Sequence, residues 1–426
     1  MSNSKIVKKL VDEYKINLNE KLGFSDLPFF EKYTAELKLN KILDYGTGIS
    51  IKNKDIAKEK AIFESIERIC LFSDRKESQK FIQSSIKELN QKEIKHISIN
   101  NSFYFSKHQI DNNSKELKIN NDNKFYWVKC IEFNTKNMIL IPSQLVFLNS
   151  NKREKIIQQS ISTGGAGGKT LNDAILRGTF EVIERDAFMI HYLAKTYGEL
   201  IDYTMNKRLM KIKKYFRQYN LDLYLINLST DLGIYTILTL IVDKTRLGIP
   251  FSAGMKTGLN PLKVAIGSIE ESYMGINFSR NVLLDKDKTS IKYNNIHTIQ
   301  QRELYWLDND KLQYITPWIK NKRKIKFNKI KNLSQKNIEK DLSFVSNILK
   351  SKNHEIYYIN IKKKEFKKYN EFEIVKVIIP TLHPLYLDET YKCLGGNRIY
   401  DIPVRLGYYK NPLKENELNQ IPHFFL

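Results

Sequence analysis

Residues 165–185 read GAGGKTLNDAILRGTFEVIER, and residues 48–68 read GISIKNKDIAKEKAIFESIER. The two segments, each 21 residues long, align without gaps, are identical at eight positions and end in the same block, Glu-x-x-Glu-Arg. Each opens on glycine and continues with apolar residues at helical spacing, which predicts a turn followed by an amphipathic helix. An internal repeat of this kind indicates a fold built by repetition of one unit.

Each copy carries two glutamates three residues apart, so that both side chains lie on one helix face. A single pair of this kind usually belongs to a solvated face. The repetition beside apolar Phe63 and Phe180 favours a different interpretation, in which the two helices pack as pseudo-symmetric mates. Four carboxylates then converge, those of Glu64, Glu67, Glu181 and Glu184. Like charges so close together need a cation, and Mg²⁺ bound with a phosphate prefers oxygen ligands of this type.

An arginine follows each glutamate pair, Arg68 in the first copy and Arg185 in the second. Each could bind a phosphate through two hydrogen bonds or form a salt bridge with a neighbouring glutamate. The second copy also overlaps a glycine-rich stretch, residues 162–170, where backbone N–H groups could approach an anion. Thr163 stands where a Walker motif requires its first glycine, so the stretch is predicted to be a different anion site or only a tight turn.

Strand patterns between the helices predict two hairpins, one from residues 125–133 with 138–140 and one from residues 221–228 with 234–242. A fainter third copy of the repeat begins at Gly258. There Asn260 and Pro261 start a helix as N-cap and first-turn residue, and this helix reaches Glu270 and Glu271. The predicted fold is therefore mixed α/β (α+β), with repeated β–β–α units around one site.

We expect a helical N-terminal extension at residues 1–29 and a single catalytic domain at residues 30–426. Residues 284–370 are rich in lysine and asparagine and weakly patterned, and they are predicted to be a helical insertion with long loops.

The chain has a net charge of +23, from 70 basic and 47 acidic residues. Lysine is plentiful throughout, so the charge is typical of a solvated surface rather than of a nucleic-acid groove. No apolar run is long enough for a membrane span, and the N-terminus does not resemble a secretory signal. The three cysteines, Cys70, Cys130 and Cys393, form no CxxC pair, which excludes a cysteine zinc site and suits a cytoplasmic location.

Several motifs, taken in order, resemble those of the YcaO family. The central signature corresponds to residues 163–174 and 180–187, and the first signature to residues 46–48 and 63–68. Further landmarks resemble residues 127, 141–146, 229–233, 258–261, 383–386 and 396–403. The last two resemble the C-terminal region of streptolysin-type D proteins, which form azolines, and the resemblance covers residues 30–426.

The resemblance implies ATP- and Mg²⁺-dependent cyclodehydration of a ribosomally made precursor peptide. A Cys, Ser or Thr side chain attacks the preceding amide carbonyl, ATP phosphorylates the resulting oxygen, and phosphate leaves to give a thiazoline or oxazoline. The same fold also includes thioamide- and amidine-forming enzymes, which remain an alternative. A non-catalytic scaffold subunit that uses the basic surface is a second alternative.

By the same resemblance, Glu64, Glu67, Glu181 and Glu184 would hold magnesium. The nucleotide would be bound by Arg68, Lys169, Asp173, Arg185 and Arg280. The C-terminal tail, with Pro422 and Leu426, would be placed at the catalytic site. The resemblance further implies a leader-binding partner protein and a flavin-dependent azoline dehydrogenase. We also expect a homodimer, and no membrane or nucleic-acid partner.

The sequence departs from the family pattern at three places. Lys169 stands where an asparagine ligand is usual, and Thr47 stands where lysine is common. The tail has Pro422 but lacks a second proline at position 424, which is occupied by Phe424.

Overall fold

The computed structural model describes residues 4–21, 23–99, 104–149, 153–246, 249–284 and 296–425. Fourteen strands lie in these ranges: β1 Asn17–Glu20, β2 Glu31–Leu39, β3 Ile42–Ser50, β4 Ile82–Ser85, β5 Lys124–Glu132, β6 Met138–Pro142, β7 Gly165–Gly168, β8 Glu199–Asp202, β9 Leu221–Asn227, β10 Tyr235–Asp243, β11 Phe251–Gly258, β12 Lys324–Lys326, β13 Tyr357–Asn360 and β14 Glu373–Ile378. The α-helices of the same ranges are α1 Ser4–Tyr14, α2 Lys54–Cys70, α3 Arg75–Ser78, α4 Ile86–Gln91, α5 Lys107–Asn112, α6 Ser114–Leu117, α7 Leu171–Leu193, α8 Lys207–Arg217, α9 Pro261–Leu284, α10 Ile299–Trp306, α11 Leu312–Ile319, α12 Ile338–Ser351 and α13 Arg398–Arg405.

The strands form three sheets, so the mixed α/β prediction is confirmed. One sheet has the order β1-β2-β3, a second β11-β10-β9-β8-β12, and a third β4-β5-β13-β14-β7 with β6 paired to β5. Both predicted hairpins are present, as the antiparallel pairs β5–β6 and β9–β10. Neighbouring strands are antiparallel except β12 and β8, which run parallel.

Each sheet carries one long helix of the repeat. Helix α2 packs on β2 and β3, α7 packs on β7 and β14, and α9 packs on β10 and β11. The predicted third helix is confirmed, because the Asn260 side chain accepts hydrogen bonds from the N–H groups of Leu262 and Lys263 and so caps α9. Contacts of α2 with β7, α7 with β11 and α9 with β3 bring the three layers together at one place.

Close packing of α2 on its sheet depends on two glycines of β3. A Cβ at Gly46 would lie 2.1 Å from the carbonyl oxygen of Ala61, and a Cβ at Gly48 would lie 1.8 Å from that of Ala57. Only glycine leaves room for the helix backbone at this distance.

Residues 284–370 contain helices α10, α11 and α12, but they also supply two strands that the sequence did not predict. Strand β12 forms the edge of the second sheet, and β13 lies between β5 and β14 in the third. Much of the segment is therefore part of the layered core. The N-terminal residues contain α1 as predicted, and β1 pairs with β2 of the first sheet. The boundaries of the extension and of the catalytic domain stay predictions.

No helix of the described ranges is long and apolar enough to cross a membrane. Cys70, Cys130 and Cys393 are free and buried.

Candidate active site

The glutamates of α2 lie against the glycine-containing strands β3 and β7, which stand where the sequence predicted turns before each helix. Glu64 Oε2 accepts the backbone N–H of Thr47 at 2.8 Å, and its Oε1 lies 3.1 Å from the Arg68 guanidinium. Glu67 Oε2 accepts the N–H of Gly167 at 3.0 Å. The second glutamate of the first copy is thus tied to the glycine strand of the second copy, as expected if the copies are mates around one site.

The second copy repeats the first in its contacts. Glu181 Oε2 accepts the N–H of Gly164 at 3.1 Å, across the same 17-residue separation that joins Thr47 to Glu64. Gly164 has φ +85°, and a Cβ there would lie 2.1 Å from the carbonyl oxygen of Val377, so this turn requires glycine. The repeat therefore extends from sequence to hydrogen bonding.

Carboxylates of α2 and α7 come together at Glu67, while the convergence of all four glutamates on one ion stays a prediction. Burial raises the pKa of Glu67 to about 8, and the carboxylates of Glu181 and Glu64 add to this rise. Burial also raises the pKa of Glu184, which is 3% exposed. Carboxyl groups whose pKa is raised by burial and by neighbouring carboxylates mark a place where a cation would be stabilised.

Helix α9 adds a carboxylate that sequence reasoning did not assign to the site. Burial raises the pKa of Glu271 to about 7, and the nearby charge of Glu184 contributes. Its neighbour Glu270 is engaged differently, because it accepts the N–H of Ile51 at 3.1 Å and pairs with Lys60 at 2.7 Å. The third copy of the repeat, faint in sequence, thus supplied the signal that could have identified Glu271.

Cations surround the carboxylates. Arg185 Nη2 lies 3.5 Å from Glu181, and its Nη1 lies 3.7 Å from Glu184. The Nε and Nη1 atoms are buried and have no hydrogen-bond partner among the described residues. These N–H donors could bind a phosphate. Arg185 therefore pairs with the glutamates and can also contact a phosphate, as the two interpretations of the sequence proposed.

Two lysines near the site were not predicted, because neither belongs to a motif. Burial lowers the pKa of Lys256, but the carboxylates of Glu271 and Glu184 more than offset this, so its pKa is raised. The side chain of Lys256 still touches water and is therefore accessible to a ligand. Lys376 is 2% exposed and donates to the carbonyl oxygens of Ile161 and Thr163, both at 2.7 Å.

The oxygen-rich donor set fits a magnesium–nucleotide complex, in which carboxylates hold the ion and cations contact the phosphates. Within the described ranges, no group of three or more His, Cys, Asp or Glu side chains stands ready to hold a metal ion. Glu64, Glu67 and Glu181 each give one oxygen to a backbone N–H, so their other oxygens would have to turn toward a shared ion.

Asp173 and Lys169, two of the predicted nucleotide-binding residues, lie at the start of α7. Asp173 Oδ2 accepts the N–H of Lys169 at 2.9 Å, and Oδ1 accepts from Arg177 Nε at 2.8 Å. Asp173 thus stabilises the helix N-terminus, while the side chain of Lys169 is exposed. In the described part of the chain, neither residue contacts the glutamates directly, and their role in nucleotide binding stays a prediction.

Arg280 lies toward the end of α9. Its Nη1 is 2.6 Å from both carboxylate oxygens of Asp26, and its guanidinium carbon is 5.5 Å from the ring centre of Phe24. Phe24 lines the cavity described below, which places Arg280 near its rim. A nucleotide contact by Arg280 stays a prediction.

The C-terminal tail is anchored inside the protein. The carbonyl oxygen of Pro422 accepts from Tyr192 at 2.8 Å, and that of His423 accepts from Arg302 Nη1 at 2.9 Å. Phe424 and Phe425 are 5% and 3% exposed. The tail thus reaches the glutamate region, although Leu426 lies outside the described residues.

A cavity of about 640 Å³ lies beside the glutamates. One part of its wall is polar and includes Glu64, Arg68 and Glu271. Another part is aromatic and apolar, with residues Phe251, Met274, Phe278, Trp306, Phe424 and Phe425. The cavity thus has charged residues on one side and apolar residues on another. Such a cavity suits a ligand that reacts with a phosphate at the charged side and buries its side chains against the apolar side.

Comparisons with known proteins concern the family and the fold of the chain. The family model for YcaO, described as a cyclodehydratase that binds ATP and Mg²⁺, matches residues 50–383. No curated protein sequence matches the chain.

Among solved structures, a heterocyclase in complex with substrate and cofactor has a TM-score of 0.78 at 18% identity, over 98% of this chain and 57% of that one. YcaO from Methanopyrus kandleri, bound with AMPPCP and Mg²⁺, has a TM-score of 0.64 at 12% identity, over 90% of this chain and 91% of that one. The E. coli microcin synthetase McbBCD complex with pro-MccB17 bound has a TM-score of 0.58 at 16% identity, over 86% and 87%. The chain spans little more than half the length of the first of these, and at such identities the likeness concerns the fold.

Proposed function

The chain belongs to the YcaO family of ATP- and Mg²⁺-binding cyclodehydratases, and from this we propose that it converts Cys, Ser or Thr residues of a ribosomally made precursor peptide to thiazolines or oxazolines. The observation that carries the proposal is the convergence of glutamates from the two repeat helices. The pKa of Glu67 on α2 is raised by its burial and by the charge of Glu181 on α7, so the two helices share one carboxylate site.

When bound, ATP with Mg²⁺ would supply the phosphoryl group that turns the amide oxygen into a leaving group. Glu64, Glu67, Glu181 and Glu184 would hold the ion. Arg185 has free donors for phosphate oxygens. The apolar wall of the cavity would exclude water from the peptide, so that the activated amide meets its own side chain rather than solvent.

The decisive experiment is co-expression of the chain with candidate precursor peptides and partner proteins, followed by mass spectrometry of the peptide. Cyclodehydration removes one water, about 18 Da per modified Cys, Ser or Thr, because the side chain bonds covalently to the carbonyl carbon. A gain of about 16 Da, for oxygen exchanged by sulfur, would instead support thioamide formation by an external nucleophile. An unchanged peptide mass would count against both. Fragmentation that places the lost water away from Cys, Ser and Thr would favour an amidine.

A partner protein that recruits the peptide is part of the proposal, since the solved microcin synthetase is a complex with its pro-peptide. A flavin-dependent dehydrogenase acting on the product stays a prediction from the resemblance. A homodimeric state and a cytoplasmic location also stay predictions. Co-purification with the encoded partners and analytical ultracentrifugation test the first two.

A further inference from the structure

Helix α10 presents one ionisable side chain to the cavity. Three residues of α10 and the residue that follows it line the cavity at helical spacing, namely Ile299, Glu303, Trp306 and Leu307. Three of them are apolar, so Glu303 is a lone carboxyl group on an apolar helix face. Its neighbour Arg302 does not neutralise it, because that guanidinium points to the His423 carbonyl and to Glu389.

The carboxyl of Glu303 is only half satisfied. It is 3% exposed, and its Oε1 accepts from Ser279 Oγ at 2.6 Å. Its Oε2 has no hydrogen-bond partner in the described part of the protein. A buried polar oxygen without a partner is destabilising, and a ligand group that donates to Oε2 would remove that cost. Burial raises the pKa of Glu303 to about 7, near the value at which a carboxylate serves as a proton acceptor.

The other ionisable groups near the cavity are less suited to proton transfer. Glu64 accepts a backbone N–H and pairs with Arg68, and Glu271 lies among the charges of Glu184 and Lys256. Lys21 and Lys32 also line the cavity. Burial lowers the pKa of Lys32 to about 8, so at pH 7 this amine still carries its proton and accepts no other. No histidine is among the described residues that line the cavity. Ser279, in contrast, contributes a hydroxyl that fixes Glu303 without neutralising it.

We propose that Glu303, oriented by Ser279, is the general base that accepts the proton of the peptide's attacking Cys, Ser or Thr side chain. The inference rests on the proposed cyclodehydration. As the bond from sulfur or oxygen to the carbonyl carbon forms, the proton passes to Oε2 and the carbonyl π electrons move to the amide oxygen, which takes the γ-phosphoryl group of ATP. ADP leaves as the γ-phosphoryl group is transferred. The departing phosphate then carries away that oxygen, and the amide nitrogen gives its proton to water as the C=N bond forms. Glu303 then returns its proton to water.

The test uses the full chain with its partners and a peptide that the wild-type chain is found to modify at a Cys, together with the same peptide carrying Ser there. Glu303→Gln is expected to lower kcat for the Ser peptide by about 100-fold or more, the usual range for loss of a general base. The loss should be smaller for the Cys peptide, because a thiol with a pKa of about 8.5 gives up its proton more readily than a hydroxyl. Affinity for AMPPNP with Mg²⁺ and the unfolding midpoint should stay unchanged.

Glu339→Gln, the same substitution on the exposed face of α12, is the matched control and should behave as wild type. Equal losses for the two peptides, a parallel loss of nucleotide affinity, or unaltered rates in Glu303→Gln would each overturn the assignment. If Glu303→Gln does not fold, Ser279→Ala is the second test. We expect this variant to lower kcat for the Ser peptide by about tenfold. An unchanged kcat would overturn the proposal. Should the wild-type chain modify no peptide, the proposed function itself fails, whereas an active wild type beside an equally active variant refutes the role of Glu303 alone.

Discussion

The guanidinium carbon of Arg185 lies 4.3 Å from the ring centre of Phe425. The arginine at the end of the second repeat is therefore held by the penultimate residue of the chain. Phe425 is fixed in turn by Phe188, whose ring centre is 5.4 Å away, one turn after Arg185 on α7. This contact gives a physical reason for a buried C-terminal tail, since a guanidinium that pairs only at 3.5–3.7 Å with Glu181 and Glu184 needs another contact to hold its orientation.

Removal of the Phe425 ring should impair nucleotide binding, and because the ring is 3% exposed it should also lower the unfolding free energy by about 3–5 kcal/mol. A cation–π contact contributes about 0.5–2 kcal/mol, so Phe425→Ala is expected to raise the KM for ATP by about 2- to 30-fold in a phosphate-release assay. Phe425→Tyr keeps the aromatic face and should stay within about twofold of wild type. An Ala variant with an unchanged KM would show that Arg185 does not depend on the tail.

Substitution of Glu184 distinguishes a catalytic role of the protein from a non-catalytic scaffold role. Glu184→Gln preserves shape but removes a buried charge that would bind the ion, so ATP turnover should fall by about 100-fold or more while the unfolding midpoint stays the same or rises. Glu339→Gln on exposed α12 is the control and should retain full turnover. A scaffold would instead bind polyanions in a steeply salt-dependent manner and show no ATP turnover in any of these proteins.

The sequence predicts the site residues that belong to the repeat. It does not predict the site residues that lie outside the repeat. The alignment makes Glu64 equivalent to Glu181 and Glu67 equivalent to Glu184, and so predicts that the two helices share a site. That Glu67 meets the charge of Glu181 depends on how the helices pack. Lys256 and Glu303 have no such signal, because a single lysine on a strand or a single glutamate on a short helix has no distinguishing periodicity. Their positions depend on contacts between distant elements.

The same reason explains the error in residues 284–370. Strand β12 has three residues and β13 has four, too few for alternation to be recognised. Pairing with β8 and with β5 and β14, rather than local preference, makes them strands.

Stability without magnesium should decrease as the pH rises. The pKa of Glu67 is raised in the folded protein to about 8 from an ordinary 4.5, so the folded state binds the proton more tightly than the unfolded state does. Its stabilising contribution is complete below pH 4.5 and is lost as the pH rises to about 8. The unfolding midpoint of the apoprotein should fall across this window, and Glu67→Gln should flatten the decline.

Magnesium with nucleotide should reverse this trend, because the ion takes the place of the proton. Calorimetry at pH 7 in two buffers of different ionisation enthalpy should therefore detect proton release on binding. Binding without proton release would contradict a protonated Glu67 in the apoprotein.

The direct contact of α2 with its sheet can be tested at Gly48. A methyl group there would lie 1.8 Å from the carbonyl oxygen of Ala57, which is helix backbone that cannot turn aside. Gly48→Ala is expected to cost about 1–3 kcal/mol of unfolding free energy, the range found for overpacked cores. Displacement of α2 should also lengthen the Thr47–Glu64 hydrogen bond and lower ATP turnover.

Gly23 offers the matched control for that substitution. A Cβ at Gly23 would meet only the Tyr273 hydroxyl, at an ordinary 3.7 Å, so Gly23→Ala should leave the unfolding free energy the same or raise it by about 0.4–1 kcal/mol. Urea unfolding of both variants measures the difference. If Gly48→Ala were no more destabilising than Gly23→Ala, α2 would not pack directly on β3. The contact of Glu67 with strand β7 would then need another structural explanation.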